Sequence, residues 1–544
     1  MANFQNQKNP KIKTPFLRVL LNLLITFVFA GLYFYFKLPA LNFMAKEFYF
    51  FLAACTGVYV LVGLTTAGFR TEDGFSGYGK IFKVPAILLL LILVTVIIGG
   101  ISSWQVIRAN AYKNLITVED GNFAQDVREI SYDKIPMLDS ESAKRLGDRK
   151  LGELSDMVSQ FEVAKNYTQI NYKNRPVRVT PLEYGDIIKW LNNRRQGLPA
   201  YLIIDMVTQN VEVVRLEEGI HYSQSEHFGR LLSRHLRFQY PTFMFASPNF
   251  EIDEQGNPYW VCPRVIKKIG LFGGTDIQGA VLVNAVTGES EYYEEVPTWV
   301  DHVYNASLIM QQYDYYGTYQ NGFINSIFGQ KDVTVTTSGY NYIALNDDVY
   351  VYTGITSVGS DQSNVGFILC NQRTKETKYY TVAGATEHSA MSSAEGVVQH
   401  LNYKATFPLL LNISSKPTYF VALKDNAQLV KMYAMVNVEQ YQVVATGASV
   451  AECERNYIKL LADNKITEES APIEKEISGV IAEIRSAVIA SNTIYYIRLA
   501  EQEEYFAISA SQDERAVLLN VGDSVTLTID TQSTSAIKQI LTLN

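Results

Sequence analysis

Cysteine and histidine are scarce in this sequence, and neither residue is spaced as a metal site requires. The 544 residues include four cysteines and six histidines. Cys55 lies in a long apolar run. The other three, Cys262, Cys370 and Cys453, form no CxxC pair, so at most one disulfide can form. Because Cys262 and Cys370 belong to apolar, strand-like runs, we expect buried free thiols. No two histidines have HExxH or H-x3-H spacing, so the sequence predicts neither a metal nor a cofactor.

Catalytic motifs are missing as well. Residues 270–280 are rich in glycine, but they lack the GK[ST] ending of a phosphate-binding loop and precede a strand rather than a helix. That pattern favours a hairpin turn. Ser131 to Lys134 matches S-x-x-K, but no S-D-N or K-T-G pattern accompanies it, and no G-x-S-x-G motif occurs. The sequence therefore favours a protein without a catalytic site.

Positive charge is in short supply after the first hundred residues. The net charge is −8; residues 1–104 carry nine Lys and Arg against three acidic residues, a balance of +6, which leaves −14 for the remainder. Such an acidic part lacks the basic surface of a nucleic-acid-binding protein. Mild repulsion from anionic lipid also predicts that it stands off a bilayer.

Three long apolar runs organise the N-terminal part of the chain. We predict transmembrane helices over residues 16–36, 48–68 and 84–104, because each run is close to the ~20 residues that cross a hydrocarbon core. The first run ends in aromatic residues, Tyr33 to Phe36, instead of a small-residue cleavage site, which is typical of a retained helix. Residues 1–104 are therefore a predicted membrane anchor.

The distribution of Lys and Arg predicts the orientation of that anchor. Seven of them lie in the N-terminus and in the loop after the second run, against four on the opposite side, at Lys37, Lys46, Arg108 and Lys113. The positive-inside rule then places the N-terminus in the cytoplasm. Residues 105–544 are expected to be extracytoplasmic, at the cell membrane.

Residues 105–198 are a predicted membrane-proximal α+β region. Gln105 to Leu115 should extend the third helix, and Asp139 to Ser142 resembles a capped helix start. Residues 181–195 have apolar side chains at helical spacing, which predicts an amphipathic helix. Its expected core face consists of Leu182, Ile187, Ile188 and Leu191.

A strand–turn–strand pattern repeats within residues 199–465. Residues 279–293 and 366–380 share G-x-x-L-x-N-x-x-T-x-E-x-x-Y-Y, and weaker copies start at Tyr201 and Tyr433. The shared leucine should face a core, the asparagine should bond the turn backbone, the threonine should close the turn and the first tyrosine should lie on the returning strand. These positions are Leu282, Asn284, Thr287 and Tyr292 in one copy and Leu369, Asn371, Thr374 and Tyr379 in the other.

Helical segments at residues 225–238 and 386–403 precede hairpin copies, so a helix followed by strands recurs as a unit. This order, together with the turn from Val283 to Glu289, resembles the PepSY family of extracytoplasmic modules over residues 225–293 and 386–447. The sequence departs from the family pattern in having Asn for Asp at the turn start and Lys375 for the turn glycine. The resemblance implies small antiparallel sheets with a covering helix, and a binding or regulatory role at the cell envelope, sometimes on peptidases.

Residues 466–544 are a predicted separate β domain. Five short apolar strands, with a turn at Gly522 and Asp523 before the fourth, are typical of an OB-like or SH3-like barrel. The expected fold is therefore three N-terminal transmembrane α-helices, then α+β repeats, then a small C-terminal β-barrel.

One surface is a candidate binding site. A Tyr-rich segment also contains Gly and Asn, a composition typical of adaptable contact surfaces, and planar rings can stack on sugars. The alternative is an amphipathic helix that runs into a turn. The candidate residues are Tyr313, Tyr315, Tyr316, Tyr319 and Phe323.

The leading hypothesis is a membrane-anchored extracytoplasmic binding or scaffolding protein, with protein partners, a second copy of the chain or a cell-wall glycan as candidate partners. One alternative is a cell-envelope enzyme or peptidase regulator that acts through the Tyr-rich segment. The other is a subunit of a transport or secretion complex, although the three apolar runs carry charge only at their ends, which disfavours an ion path.

Overall fold

Three apolar helices open the structure, a computed structural model. They are α1 (Pro15–Lys37), α2 (Lys46–Ala67) and α3 (Gly79–Ser102). Each contains a segment long and apolar enough to cross a membrane, which confirms the three predicted helices and is consistent with a membrane anchor. The structure describes residues 15–67, 79–129, 135–359, 363–467, 474–489, 492–510, 513–530 and 537–543.

The third helix does not continue into the soluble part as predicted. It ends at Ser102, and α4 (Gln105–Lys113) begins after Trp104, whose backbone is extended. The side chain of Ser103 accounts for part of the break, because its Oγ accepts a hydrogen bond from the backbone N–H of Phe272 at 2.9 Å. Two short elements follow, β1 (Val118–Asp120) and α5 (Phe123–Asp126).

Four antiparallel sheets with the same strand order follow the anchor. In each, two short strands pair with one long strand, and two further strands extend the sheet from its other edge. A helix precedes each sheet, so we call the four helix-and-sheet segments units 1 to 4.

Unit 1 comprises α6 (Ser140–Gly152), β2 (Phe161–Val163), β3 (Thr168–Tyr172), β4 (Arg175–Tyr184), α7 (Ile187–Asn193), β5 (Leu198–Asp205) and β6 (Val211–Ile220). Unit 2 comprises α8 (Leu232–Gln239), β7 (Met244–Phe245), β8 (Asn249–Ile252), β9 (Pro258–Ile269), β10 (Gly273–Asn284) and β11 (Ser290–Tyr293).

Units 3 and 4 repeat this order. Strand β1 adds to the sheet of unit 3 by pairing in parallel with its last strand. Unit 3 comprises α9 (Ala306–Thr318), α10 (Gly322–Ile327), β12 (Thr334–Thr336), β13 (Asn341–Leu345), β14 (Asp348–Ser357), β15 (Ser363–Asn371) and β16 (Thr377–Ala385). Unit 4 comprises α11 (Glu387–Val397), β17 (Lys404–Ala405), β18 (Leu409–Ile413), β19 (Lys416–Lys424), β20 (Val430–Asn437) and β21 (Val444–Gly447), and α12 (Val450–Asp463) follows it.

The repeated hairpins have the predicted geometry. Leu282 and Leu369 are buried, with 5% and 2% of their surface exposed. The Oδ1 atom of Asn284 accepts hydrogen bonds from two backbone N–H groups of its turn at 2.9 and 3.0 Å, and that of Asn371 does so at 2.8 and 3.0 Å. Asp205 makes the same pair of bonds in unit 1. The local pattern in the sequence therefore specifies the same turn in three sheets.

The other positions of the pattern also match. The hydroxyl oxygens of Thr287 and Thr374 each accept a backbone N–H two residues later, which closes the turn. The hydroxyls of Tyr292 and Tyr379 lie on the returning strands, and each donates to the carbonyl fourteen residues earlier, at 2.8 and 3.1 Å. The repeat prediction is confirmed at these positions.

Lys375 occupies the turn position at which the other copy has Gly288, and the contacts of its side chain explain why a lysine is tolerated there. Both residues have a positive φ, 68° and 79°, a conformation that disfavours side chains larger than glycine. The Lys375 ammonium group compensates by binding Asp276 Oδ1 at 2.7 Å and the carbonyl of Leu115 at 2.8 Å. This substitution joins unit 3 to unit 2.

The first hairpin copy belongs to a sheet that starts before residue 199, since β4 and β5 pair directly. The predicted helix over residues 181–195 is wrong in its first half, because Pro181 and Leu182 lie in β4. Its core face is also wrong: Leu182 is buried, but three of the four residues are exposed on α7. They are Ile187, Ile188 and Leu191.

Two large cores hold the units in pairs. One core combines residues of units 1 and 2, including Tyr201 and Trp260. The other combines units 3 and 4, including Tyr352 and Tyr419, and also receives Tyr457 from α12. All four cysteines are free. Cys262 and Cys370 are buried, as predicted, and Cys453 is buried as well.

A small closed barrel ends the chain, with five strands as predicted. Its strands follow the order first, second, third, fifth, fourth, and the third and fifth pair in parallel. Its core is separate from those of the four units. The strands are β22 (Glu474–Ile489), β23 (Asn492–Leu499), β24 (Tyr505–Ser509), β25 (Ser524–Asp530) and β26 (Ile537–Leu543).

Unit 2 packs on two of the three apolar helices. The turn between β9 and β10 packs on α3, where Phe272 and Leu271 cover Gly99. Helix α8 packs on the end of α1, with the rings of Phe238 and Phe34 5.4 Å apart. The expected stand-off from a bilayer concerns lipid and stays a prediction.

Candidate functional site

A cleft in units 1 and 2 begins beside the end of α1. It consists of two cavities of about 280 and 480 Å³, which we call the inner and the outer cavity. The cavities adjoin, because four residues line both of them. These are Asn166, Gln224, Ser247 and Pro248.

The outer cavity starts at the end of α1 and has one apolar wall. Leu38, the first residue after that helix, lines it. Arg237 fixes this edge, because its guanidinium donates to the carbonyls of Leu38 at 3.0 Å and Phe243 at 2.6 Å. The apolar wall consists of Leu231, Leu232, Leu236 and Phe245.

Two buried side chains in the lining of the inner cavity each have a polar atom without a partner among the described residues. Gln169 is 2% exposed, and its Oε1 accepts from Arg178 at 3.4 Å. Its Nε2, like the hydroxyl of Tyr167, has no hydrogen-bond partner among the described residues. A buried donor without an acceptor is costly, so such groups commonly mark a site for water or a ligand.

Arg178 adds positive charge behind this cavity. It is 6% exposed and donates only to uncharged oxygens: the carbonyls of Leu138 and Tyr167, and the Gln169 side chain. It forms no ion pair within the described part of the chain. Burial lowers the pKa of the guanidinium, but an arginine stays protonated. Its charge therefore favours an anionic or acceptor-rich group in the inner cavity.

His302 and Glu183 complete the lining. The Nε2 atom of His302 lies 2.5 Å from the carbonyl oxygen of Gln169, and burial lowers the pKa of the imidazole to about 4. The ring is therefore neutral at pH 7, with its proton on Nε2 donated to that carbonyl. Burial raises the pKa of Glu183. These groups position the wall of the cavity.

Two buried carboxylates lie behind His302. Glu251 accepts the backbone N–H groups of Asp301 at 2.8 Å and His302 at 3.0 Å. Burial raises the pKa of Glu251 to about 7, and burial followed by the Glu251 charge raises that of Asp301. Neither carboxylate lines either cavity. Their hydrogen bonds fix the connection between units 2 and 3 instead of reaching the cleft.

The predicted Tyr-rich surface lies on α9 and α10. Tyr313 is buried in the core between α9 and the sheet of unit 3. The ring of Tyr315 packs 4.8 Å from that of Tyr112 on α4, and Tyr319 is buried beside it. Helix α4 of the same chain thus covers part of this face.

The remaining members of that set keep some exposure. Tyr315, Tyr316 and Phe323 are half-buried. Binding of an outside partner by this face stays a prediction, and it rests on these three residues rather than on buried Tyr313 and Tyr319. Ser131 and Lys134 of the S-x-x-K match lie outside the described residues. Within the described residues, no group of three or more His, Cys, Asp or Glu could hold a metal ion.

Sequence reasoning missed the cleft. Its polar residues are far apart in the chain, since Gln169 and His302 are separated by 133 positions. Neither belongs to a motif, and a single histidine in an irregular segment carries no spacing signal. No protein-family model and no curated protein matches this sequence.

Proposed function

We propose that the chain is a membrane-anchored binding protein, without a catalytic site, that takes up an amphiphilic molecule from the bilayer. One observation carries the proposal: the cleft runs from Leu38, at the end of a candidate membrane helix, to the buried and unpaired Nε2 of Gln169. The apolar wall of the outer cavity suits an acyl chain. The inner cavity suits an anionic or acceptor-rich head group.

Binding is favoured over catalysis because Glu251 and Asp301, whose pKa values are raised, line neither cavity, and because Glu183, whose pKa burial also raises, lines the inner cavity without a second carboxylate. A general acid or base must come within hydrogen-bond reach of its substrate. The carboxylates of Glu251 and Asp301 instead accept hydrogen bonds from backbone N–H groups.

The finer identity of the modules and the orientation are part of this proposal. The order of helix and hairpin, repeated four times, supports PepSY-like modules. The strand order of the barrel, with its parallel third and fifth strands, supports an OB-like over an SH3-like barrel. The excess of Lys and Arg in the N-terminus and second loop supports an extracytoplasmic soluble part.

Photocrosslinking tests the cleft. The full chain is placed in nanodiscs that contain a trace of a diazirine-bearing fatty acid, and crosslinked peptides are mapped by mass spectrometry. We expect crosslinks in residues 231–248 and 164–169. Ser247→Trp, which fills the junction of the two cavities, should reduce them at least about tenfold.

The matched control is Ser159→Trp, a change of the same size at an exposed serine away from the cleft. It should leave the crosslinks unchanged. Crosslinks confined to α1, α2 and α3, or equal crosslinking in Ser247→Trp, would contradict the proposal.

A further inference from the structure

A second feature beside the anchor is a group of arginines around an aromatic pair. A surface cavity of about 460 Å³ is lined by Trp190, Arg194, Arg195, His227, Phe228, Gly229 and Arg230. We call this the arginine patch. Arg194, Arg195 and Arg230 are exposed and form no ion pair in the part of the chain that the structure describes. Their charge is therefore available to an anion.

Exposed apolar side chains lie on the elements that carry the patch. Three are on α7, and Phe228 and Phe238 lie just before and within α8. Each is at least half exposed: Ile187 56%, Ile188 66%, Leu191 50%, Phe228 62% and Phe238 55%. Exposed apolar side chains on elements that also carry positive charge are typical of an interfacial membrane contact.

The backbone presents Phe228 outward in a disfavoured conformation. Its φ is +52°, in the left-handed region that bulky residues avoid. The surroundings hold it there, because Arg234 Nη1 donates to the Phe228 carbonyl at 2.7 Å and the Trp190 ring packs 5.8 Å away. Strain of this kind persists where the neighbouring structure fixes it and often marks a functional residue.

Contacts with α1 place the patch at the level of the membrane surface. Arg234 Nε donates to the carbonyl of Tyr35 at 3.1 Å, and its guanidinium lies 4.1 Å from the Tyr35 ring centre. Tyr35 is in the last turn of the first candidate span. The same guanidinium donates through Nη1 to the carbonyl of Phe228, which lines the patch, so the patch lies next to the end of α1.

We propose that the arginine patch binds the phosphate of an anionic phospholipid in the bilayer that holds the spans, while the apolar side chains around it enter the boundary between head groups and acyl chains. Nearby acids do not cancel the charge of the three arginines. Glu226, which is buried and accepts from Trp190 Nε1 at 2.7 Å and the Tyr184 hydroxyl at 2.8 Å, offsets at most one of them. Asp186 is paired with Lys189. An acidic soluble part thus presents a basic edge to the membrane.

Depth-dependent quenching tests the bilayer contact. Ile188→Cys in a Cys55→Ser background is labelled with bimane in the full chain and placed in nanodiscs with lipid that carries a doxyl group near the head group. We expect strong quenching at residue 188. The control, Val397→Cys on α11, is similarly exposed and should show none. Equal fluorescence with and without the doxyl lipid at residue 188 would overturn the proposal.

Native mass spectrometry tests the head-group preference. The full chain is released from nanodiscs of equal phosphatidylglycerol and phosphatidylcholine, and retained lipids are counted. The unaltered chain should retain phosphatidylglycerol in excess, and Arg195→Gln should reduce the excess about fivefold. Triple replacement of Arg194, Arg195 and Arg230 by Gln should abolish it.

The control here is Arg149→Gln, which removes an exposed arginine on α6 and should keep the excess. Equal retention of the two lipids by the unaltered chain, or an unchanged excess in Arg195→Gln, would overturn the assignment. Arg195→Gln keeps the test decisive if the triple variant fails to fold, because Arg195 makes no hydrogen bond to the described residues. The result is independent of the cleft, since Ser247→Trp leaves the patch intact.

Discussion

At the scale of single residues, the repeated hairpins make a quantitative prediction. Leu282→Ala and Leu369→Ala each remove a buried side chain and should cost about 2–5 kcal/mol of unfolding free energy. Buried cysteines report this locally, because Cys262 pairs across from Val281 and Cys370 follows Leu369. We expect alkylation of the neighbouring cysteine to accelerate from about 30-fold to several thousand-fold.

Two further variants, with a smaller expected effect and with none, serve as controls for the cysteine alkylation measurement. Asn284→Ala removes the acceptor of two turn N–H groups and should cost about 0.5–1.5 kcal/mol. Leu429→Ala alters an exposed leucine and should leave alkylation of both cysteines unchanged. Equal rates in the unaltered chain and in Leu282→Ala would contradict the equivalence of the repeats.

Tyr167→Phe is predicted to stabilise the protein. The buried hydroxyl of Tyr167 has no partner among the described residues, so the change should raise unfolding free energy by about 1 kcal/mol. The hydroxyl packs against Gly147 of α6, which lines neither cavity, so fatty-acid crosslinking should stay unchanged. Tyr441→Phe, at an exposed tyrosine, should change neither. Lower stability in Tyr167→Phe would indicate a partner for the hydroxyl within the protein.

The buried carboxylates predict the pH dependence of units 1 and 2. Glu251, with its pKa raised to about 7, and Asp301, with its pKa also raised, bind protons more tightly when folded. Stability is therefore lost as pH rises from their unfolded pKa values of about 4. His302, with its pKa lowered to about 4, has the opposite sign and loses stability as pH falls below about 6.5.

Two carboxyls outweigh one imidazole, so Tm should fall from about pH 5 to pH 7, and more steeply above about pH 6.5, where His302 no longer contributes. Asp301→Asn should flatten the profile, whereas Glu503→Gln, at an exposed glutamate, should preserve it. A Tm that rises from pH 5 to pH 7 would contradict the raised pKa values of Glu251 and Asp301.

At the scale of elements, the contact between the β9–β10 turn and α3 offers a matched pair of variants. A Cβ atom at Gly99 would lie 2.6 Å from the Phe272 ring, whereas one at Gly100 would have no atom within 4 Å. Gly99→Leu should displace the turn and speed amide hydrogen exchange in residues 269–275, by about 5- to 150-fold for an overpacking cost of about 1–3 kcal/mol. Gly100→Leu should have no effect there. Equal exchange in both variants would show that the turn does not pack on α3.

The sequence predicted correctly those elements that are specified by short, local patterns of residues. The hairpin turns follow from a short pattern, Asn284 with Thr287 three positions later, and they were predicted correctly. The segment 181–195 was misread because Ile187, Ile188 and Leu191 have helical spacing but face outward on α7. Periodicity identifies an apolar face, but it does not say whether protein or lipid covers it.

The cleft could not be predicted for a different reason. Its wall combines β3, the start of unit 2 and the connection that carries His302, and only tertiary packing brings them together. The unpaired state of Gln169 Nε2 is likewise a property of the packed structure. No local sequence pattern encodes it.

At the scale of the whole molecule, the three spans and the Lys and Arg bias predict which side the units occupy. Leu518 is 74% exposed on the barrel. In intact cells, Leu518→Cys in a Cys55→Ser background should react with an impermeant maleimide, whereas Lys83→Cys at the start of α3 should react only after lysis. The reverse pattern would place the units in the cytoplasm.

The most direct test of the account is to identify what the protein carries. The full chain and Ser247→Trp are purified in parallel, extracted with organic solvent and compared by quantitative mass spectrometry. We predict about one amphiphile with an acidic or acceptor-rich head group per unaltered chain, and loss of that species from Ser247→Trp. Identical extracts from the two proteins would contradict the proposal that the cleft binds an amphiphile.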